Sequence, residues 1–412
     1  MPERRPDPAA GPAAGPHGPG TPGGPALPAP GRALPPAPVD LGRVAEGRVE
    51  FENWKGEADR PSPPPPAPLP PAQRVGFAVM GLGRLALEEI LPAFAECGLA
   101  RPVALVSGRP EKARAVAAQH GIGREHVYGY DDIHRLRDDP VVRAVYVVTP
   151  NGLHRDHVRA VAAAGKHVLC EKPMANTPDE ARDMIAACRD AGVKLMVAYR
   201  CQYEPFNREA IRLVRSGALG AARLIEASNT QVQGTGAQWR HRAALAGGGA
   251  LPDIGLYCLN AARAVLGEEP VSVFASIVNP VGDARYAEVE ETVAFTLRFP
   301  SGAIAQCATS YGAHESKDMR IRLEKGSIEL ENAFAYRGQR LRVARRAGDN
   351  EAVEEVRLGA KNQFALEIDH FAECILRDAA PRTPGEEGLR YHLVMAALYR
   401  SAREGVPVRL ES

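Results

Sequence analysis

The chain has 412 residues, 45% of them hydrophobic, and a formal net charge of +1. That length exceeds one ordinary core and predicts two domains with additions. The near-balanced charge supplies no field to draw in nucleic acid or an anionic membrane. Seven cysteines (Cys97, Cys170, Cys188, Cys201, Cys258, Cys307 and Cys374) are scattered without a C-x-x-C pair, which argues for buried or free thiols in a reducing compartment and against a metal site. No apolar run nears the roughly 20 residues that cross a bilayer. Arg4 and Arg5 are not followed by the apolar stretch of a secretory signal, so the expected location is cytoplasmic.

Residues 1–39 are mostly Pro, Ala and Gly and read as disordered, because they cannot bury enough apolar surface to offset chain entropy. Residues 41–60 are more ordinary, and Val49, Phe51 and Trp54 could dock a short extended arm. The proline-dense stretch 61–71 reads as a polyproline II spacer. Residues 1–72 are therefore expected to be a tail with an optional arm.

The folded body opens near Gln73. Strands are expected at 75–80, 103–106, 145–148, 167–170 and 194–199, alternating with helices after Gly83 and at 111–120, 154–165 and 178–191. Such alternation predicts an α/β dinucleotide-binding (Rossmann) domain with a parallel, doubly wound sheet over residues 73–198. Beyond Tyr199 the pattern changes to consecutive strands at 271–275, 291–299, 303–310, 320–323 and 327–330, then helices at 364–376 and 386–403. This predicts an α+β domain with a large, mostly antiparallel sheet over residues 199–412. Val293, Phe295 and Leu297 alternate along one strand and would face either a partner subunit or the domain core.

Gly81-Leu82-Gly83-Arg84-Leu85-Ala86 forms G-x-G-x-x-A between a strand and a helix. The first glycine permits the tight turn, the second lets a pyrophosphate approach the backbone, and the small Ala86 lets the helix pack closely. An NAD site usually has a carboxylate at the tip of the second strand to hold the ribose 2′-hydroxyl. Here that tip reads Ser107-Gly108-Arg109, with Lys112 one turn on. Two cations and a hydroxyl suit a 2′-phosphate, so NADP is expected, with NAD as the alternative.

Thr149-Pro150-Asn151 and Glu171-Lys172-Pro173 follow strand ends, where ligands bind in open α/β sheets. Asp253 and Tyr257 stand four apart and share a face if Asp253 opens a helix. The runs G-L-G-R, T-P-N-G-L-H, C-E-K-P-M-A, Y-R-C-Q-Y-E-P, Q-W-R, L-A-G-G-G-A-L-P-D-I-G-L-Y and P-G-E-E-G resemble the Gfo/Idh/MocA family from about Gln73 to Arg409. Tyr257, where many members have histidine, is similar to the glucose–fructose oxidoreductase branch.

The resemblance implies an NADP-dependent oxidoreductase acting on a sugar, with catalytic Lys172, Asp253 and Tyr257. Removing a hydroxyl proton needs a base, and a free tyrosine with a pKa of about 10 needs a nearby cation such as Lys172 to lower it. The family further implies His154 and Arg200 around the cofactor and Tyr203, Trp239 and Arg240 around the sugar. It also implies a homodimer or homotetramer assembled through the C-terminal sheet. A non-enzymatic sugar or dinucleotide sensor and an NAD-dependent glycosidase of the same family are the competing readings.

Overall fold

The computed structural model describes residues 43–45, 48–50, 67–234 and 238–410. Arg43–Ala45 pairs antiparallel with Arg48–Glu50, Val44 standing opposite Val49. Phe51, Trp54 and the tail before residue 43 lie outside the described residues, as does the spacer up to residue 66. Its last residues are extended, with Pro70 at φ −50° and ψ 142°, and the Leu69 N–H donates to the Gly98 carbonyl at 2.9 Å.

Apolar runs of strand length build a six-stranded sheet from β1 (Val75–Met80), β2 (Ala100–Val106), β3 (Val127–Tyr128), β4 (Ala144–Val147), β5 (His167–Glu171) and β6 (Leu195–Ala198). The spatial order is β3-β2-β1-β4-β5-β6, and every pair is parallel. The order reverses between β1 and β4, which opens the crevice where such sheets bind ligands. Both faces are covered, because alternate residues of one strand enter different cores. Phe77 and Val79 join one cluster with Ile90 and Val116, while Ala78 and Met80 join another with Val158, Val161 and Met184. The crossover helices are α1 (Pro110–Gln119), α2 (His154–Ala163) and α3 (Pro178–Asp190). Thr177 caps α3 by accepting from the Glu180 N–H.

After α4 (Pro205–Arg215) the chain forms β7 (Ala222–Thr230), α5 (Leu256–Leu266) and β8 (Ser272–Val278). Then come β9 (Thr292–Arg298), β10 (Ile304–Ser310), β11 (Ser316–Leu323), β12 (Gly326–Glu331), β13 (Arg340–Ala347) and β14 (Asn350–Val356). With β15 (Val408–Arg409) they make a nine-stranded sheet ordered β14-β13-β12-β11-β7-β10-β9-β8-β15. Only the β7–β10 pair is parallel. Helices α4 and α5 pack against it. Val293, Phe295 and Leu297 are at most 3% exposed and point into this core, so the outward face is carried by their neighbours and not by them.

Several elements run beyond the expected pattern, among them the two-residue strands β3 and β15. β7 was not foreseen, and α4 is announced only by its cap, Glu204, which accepts from the Phe206 and Asn207 N–H groups. In the β13–β14 hairpin only Leu341 and Val343 of β13 alternate into the core, β14 is almost wholly exposed, and the strands pair through charge, as in Arg340–Glu355 at 3.0 Å.

The chain then turns back. Helix α6 (Gln363–Leu376) packs on the first sheet, its Phe364, Ile368 and Phe371 entering the cluster of Phe77 and Val79. Helix α7 (Gly385–Glu404) contacts both α3 and β8 and so ties the two sheets together. Asp369 on α6 accepts from the Gly98 and Leu99 N–H groups at 2.7 and 2.9 Å. Removing this carboxylate leaves two half-buried donors unmet. Asp369→Ala is expected to lower unfolding free energy by about 1–3 kcal/mol, read by chemical or thermal denaturation.

Candidate active site

The turn after β1 is shaped by its glycines. Gly81 has φ +94°, and a Cβ there would lie 2.6 Å from the Val148 carbonyl oxygen, so only glycine fits. At Gly83 a Cβ would meet no protein atom within 4 Å. It would point into a groove of about 600 Å3 that runs over the turn and past the tip of β2. Gly81, Leu82, Gly83, Arg84 and Leu85 form one wall. Ser107, Gly108, Arg109 and Lys112 line the tip of β2, and Thr149, Pro150 and Asn151 close the opposite side. The Ser107 hydroxyl accepts from the Arg109 N–H, and Lys112 Nζ donates to the Leu82 carbonyl oxygen, so that cation also braces the glycine turn. A backbone cradle open at Gly83, with cations at its far end, fits a dinucleotide phosphate. Tyr130 lines the same end, stacked on His157 at 4.9 Å, and was missed because a lone tyrosine in a 3-10 stretch carries no motif.

His154 is fully buried and does not line the groove. Its ring lies between the Thr149 carbonyl (Nε2, 2.8 Å) and the Pro173 carbonyl (Nδ1, 3.0 Å). Burial pushes its pKa down to about 4, so the neutral ring donates to one carbonyl at a time and joins the two strand-end loops. Asn151 reaches from the same loop to the Ala246 carbonyl at 2.8 Å.

A second cleft, of about 430 Å3, adjoins the groove and shares Leu85, Glu171, Lys172, Arg240 and Asp253 with it. Asp253 is the hub of that junction. Its carboxylate receives Lys172 Nζ at 3.2 Å, Arg240 Nε at 3.0 Å and the Tyr311 hydroxyl at 2.7 Å, and its carbonyl receives Lys172 Nζ at 2.7 Å. Burial alone would raise the Asp253 pKa, but Lys172, Arg240 and the Tyr311 bond outweigh it and hold the carboxyl well below its usual range. Glu171, beneath, accepts from the Tyr146 hydroxyl at 2.8 Å and the Lys172 N–H at 3.1 Å, which fixes the loop that presents Lys172.

Tyr257 begins the second turn of the segment that opens at Leu251–Gly255, a π-helical stretch leading into α5. Its hydroxyl accepts from Arg200 Nε at 3.1 Å. Lys172 Nζ lies over the ring, 4.8 Å from its centroid, and is directed at Asp253. The expected Lys172–hydroxyl pairing is therefore replaced by an Arg200–hydroxyl pairing. Burial raises the Tyr257 pKa, and the opposing pull of Arg200 does not cancel it.

Besides His154, expected at the cofactor but absent from the groove wall, two expected ligand contacts are corrected. Arg200 borders the second cleft and not the dinucleotide groove. Its guanidinium is committed to the Gln363 side chain at 2.6 Å and the Phe334 carbonyl at 2.6 Å, which draws it toward α6. Tyr203 borders neither cleft; it is buried with its hydroxyl 2.9 Å from Thr383 Oγ1. Trp239 stands on the groove wall with Arg240 stacked on its ring at 4.5 Å. The rest of the second cleft is polar on one side, with Asn229, Gln231, Gln233 and Gln238, and aromatic on the other, with Phe334 and Tyr336. Apart from Gln238, which opens the Q-W-R run, none of these falls in a recognisable motif.

The family model described as "Oxidoreductase family, NAD-binding Rossmann fold" matches residues 75–199, and the "GFO/IDH/MocA C-terminal domain" matches 207–329. The chain belongs to the Gfo/Idh/MocA family. As a member it is a nicotinamide dinucleotide-dependent oxidoreductase, and the matched regions divide where the parallel sheet gives way to the antiparallel one. It is 32% identical over 342 residues to the D-xylose 1-dehydrogenase [NADP(+)] of Haloarcula marismortui, covering 82% of this chain and 93% of that one. It is similar to the crystal structure of aldose-aldose oxidoreductase from Caulobacter crescentus complexed with glycerol, with TM-score 0.79, 46% identity, and coverage of 82% of this chain and 100% of that one. Levoglucosan dehydrogenase in complex with NADH and L-sorbose shares the fold, with TM-score 0.74, 24% identity, and coverage of 82% and 100%. Among the described residues no helix is long and apolar enough to cross a membrane, and no cluster of metal-ligating side chains occurs.

The open space at Gly83 gives a clean separation of folding from binding. Gly83→Ala should keep the wild-type melting temperature while weakening dinucleotide affinity by roughly tenfold or more, about 1.4 kcal/mol, measured by fluorescence titration.

Proposed function

We propose that this protein is an NADP-dependent aldose oxidoreductase in which Tyr257 exchanges the proton of the reacting sugar oxygen while Lys172 and Asp253 hold the sugar in place. The reading rests chiefly on one observation: Lys172 meets Asp253 and Tyr257, some 80 residues later in the chain, where the dinucleotide groove opens into a polar cleft. The substrates named for the xylose dehydrogenase and the aldose-aldose oxidoreductase favour an aldose. NADP is favoured by Arg109 and Lys112 at the groove end, where no carboxylate lines the wall.

Oxidising a CH–OH group removes a hydride from carbon and a proton from oxygen. Bound NADP would supply the hydride chemistry, and the groove residues named above would hold it. The Tyr257 hydroxyl accepts from Arg200 and makes no donated hydrogen bond among the described residues, so its own proton is available to a ligand oxygen. Because burial raises its pKa, Tyr257 is a neutral phenol at pH 7. It is thus ready to protonate a carbonyl oxygen in reduction and becomes a base for oxidation as the pH rises. An ammonium has three donors; Lys172 spends two on Asp253 and keeps one for the sugar. Trp239 offers an apolar face, and Arg240, fixed by Asp253, offers further donors.

A paired reaction, oxidising one aldose and reducing another without releasing NADP, is a second reading supported by the 46% identity to the aldose-aldose oxidoreductase. The outward face of the nine-stranded sheet, with Phe274 38% exposed, is the proposed contact of a homodimer or homotetramer. The seven buried, unpaired cysteines support a cytoplasmic setting.

Tyr257→Phe should cut turnover by about 100-fold or more while leaving dinucleotide affinity unchanged. In the wild type, kcat/KM for aldose oxidation should rise with pH through the neutral and alkaline range, and reduction should stay flat there. A mutant with undiminished turnover would remove Tyr257 from the proton transfer. Protein purified without added cofactor and then denatured should release near-stoichiometric NADP if the paired reaction holds; empty protein that binds NADP on addition marks a freely exchanging dehydrogenase.

A further inference from the structure

A pocket of about 500 Å3 lies between α4, the C-terminal end of α5, the loop at 267–269 and the start of α7, apart from the groove and cleft described above. Its wall is rich in arginine: Arg208, Arg212, Arg215, Arg263 and Arg382. The acids beside them do not balance these charges evenly. Glu269 and Glu387 both close on Arg263 in two-point pairs, with contacts of 2.7 to 3.0 Å. Glu268 accepts from the Ser301 N–H. Arg212 is neutralised by Glu209 from its own helix at 2.8 Å. Arg215 donates to the Ala264 carbonyl at the end of α5.

Arg208 and Arg382 are left over. Among the described residues neither has a carboxylate partner, nor does Arg215, whose guanidinium is turned onto the Ala264 carbonyl, and the Arg208 side chain makes no hydrogen bond. Arg382 donates to the Gln202 carbonyl at 3.0 Å and lies over the Tyr203 ring at 5.0 Å, which fixes its guanidinium at the pocket wall. Partial burial and the charge of Arg208 both press the Arg382 pKa downward, so the two cations feel each other. Two like charges held together in a concave site are stabilised by an anion carrying at least two charges. A guanidinium fork matches phosphate oxygens.

We propose that this pocket binds a small phosphate-bearing polyanion between Arg208 and Arg382. The site adjoins the turn Arg200–Gln202, which faces the catalytic cleft through Arg200 and this pocket through Gln202. The inference is independent of the proposed substrate.

The test is calorimetric titration of the full-length protein with inorganic pyrophosphate at low ionic strength, after one equivalent of NADP has been added to fill the dinucleotide groove. One saturable site is expected, weakening as salt is raised. Arg208→Ala, which removes no hydrogen bond among the described residues, should weaken binding by roughly tenfold or more. Arg382→Ala should do the same. Arg212→Ala lines the same pocket but removes a charge already taken by Glu209, and should change affinity little. Absence of saturable binding overturns the proposal. So does an Arg212→Ala loss equal to that of Arg208→Ala, which would reduce the effect to general surface charge. Binding untouched by any of the three substitutions would place the anion elsewhere and overturn it equally.

Discussion

A partly buried carboxylate between two cations holds the candidate site together. Asp253 comes from the segment leading into α5, Lys172 from the loop after β5, and Arg240 from a short turn beside the groove. An isolated charge at that depth would be strongly disfavoured, and removing one partner of a buried pair leaves the other uncompensated. Here the Tyr311 hydroxyl and two cations meet the carboxylate's lone pairs, so its ionised form is the stable one. The same contacts lock parallel-sheet and antiparallel-sheet elements against each other where groove and cleft meet. Stability and the geometry of the candidate site therefore depend on the same few bonds.

Around this hub the tyrosine and arginine chemistry arranges itself. Arg200 lies under the rings of Tyr257 and Tyr336, at 4.6 and 4.5 Å from their centroids, while its donors are spent on Tyr257, Gln363 and the carbonyls of Phe334 and Ala335. A guanidinium so fully engaged works as a fixed support rather than a ligand-binding group. It orients the phenol that Lys172, engaged by Asp253, does not reach.

Much of this was legible in the sequence because local rules dominate there. The strand–glycine turn–helix signature located the groove, since Gly81 must adopt a positive φ and Gly83 must leave room. The strand-end segments at Thr149 and Glu171 follow from sheet topology. Less visible were contacts made by residues far apart in sequence. Nothing near Tyr311 announces that its hydroxyl meets Asp253, and nothing near Gln363 announces that it holds Arg200. Tyr203 shows the converse: a polar tyrosine in a motif-rich stretch is drawn into the core because Thr383 satisfies its hydroxyl. The β13–β14 hairpin escaped because only Leu341 and Val343 alternate in β13 and the exposed β14 pairs with it through ions.

The return of α6 to the first sheet affects how the chain can be made. Phe364, Ile368 and Phe371 cover the face presented by Phe77 and Val79, yet they are translated nearly three hundred residues later. During synthesis the nucleotide-binding half must wait with one apolar face only partly covered until α6 emerges, a long-range dependence that slows folding and exposes intermediates to association. A fragment ending at residue 199 would carry every strand of the parallel sheet but not the helix that completes its core. For this fold, the boundary drawn along the sequence is not a boundary at which the chain can be cut.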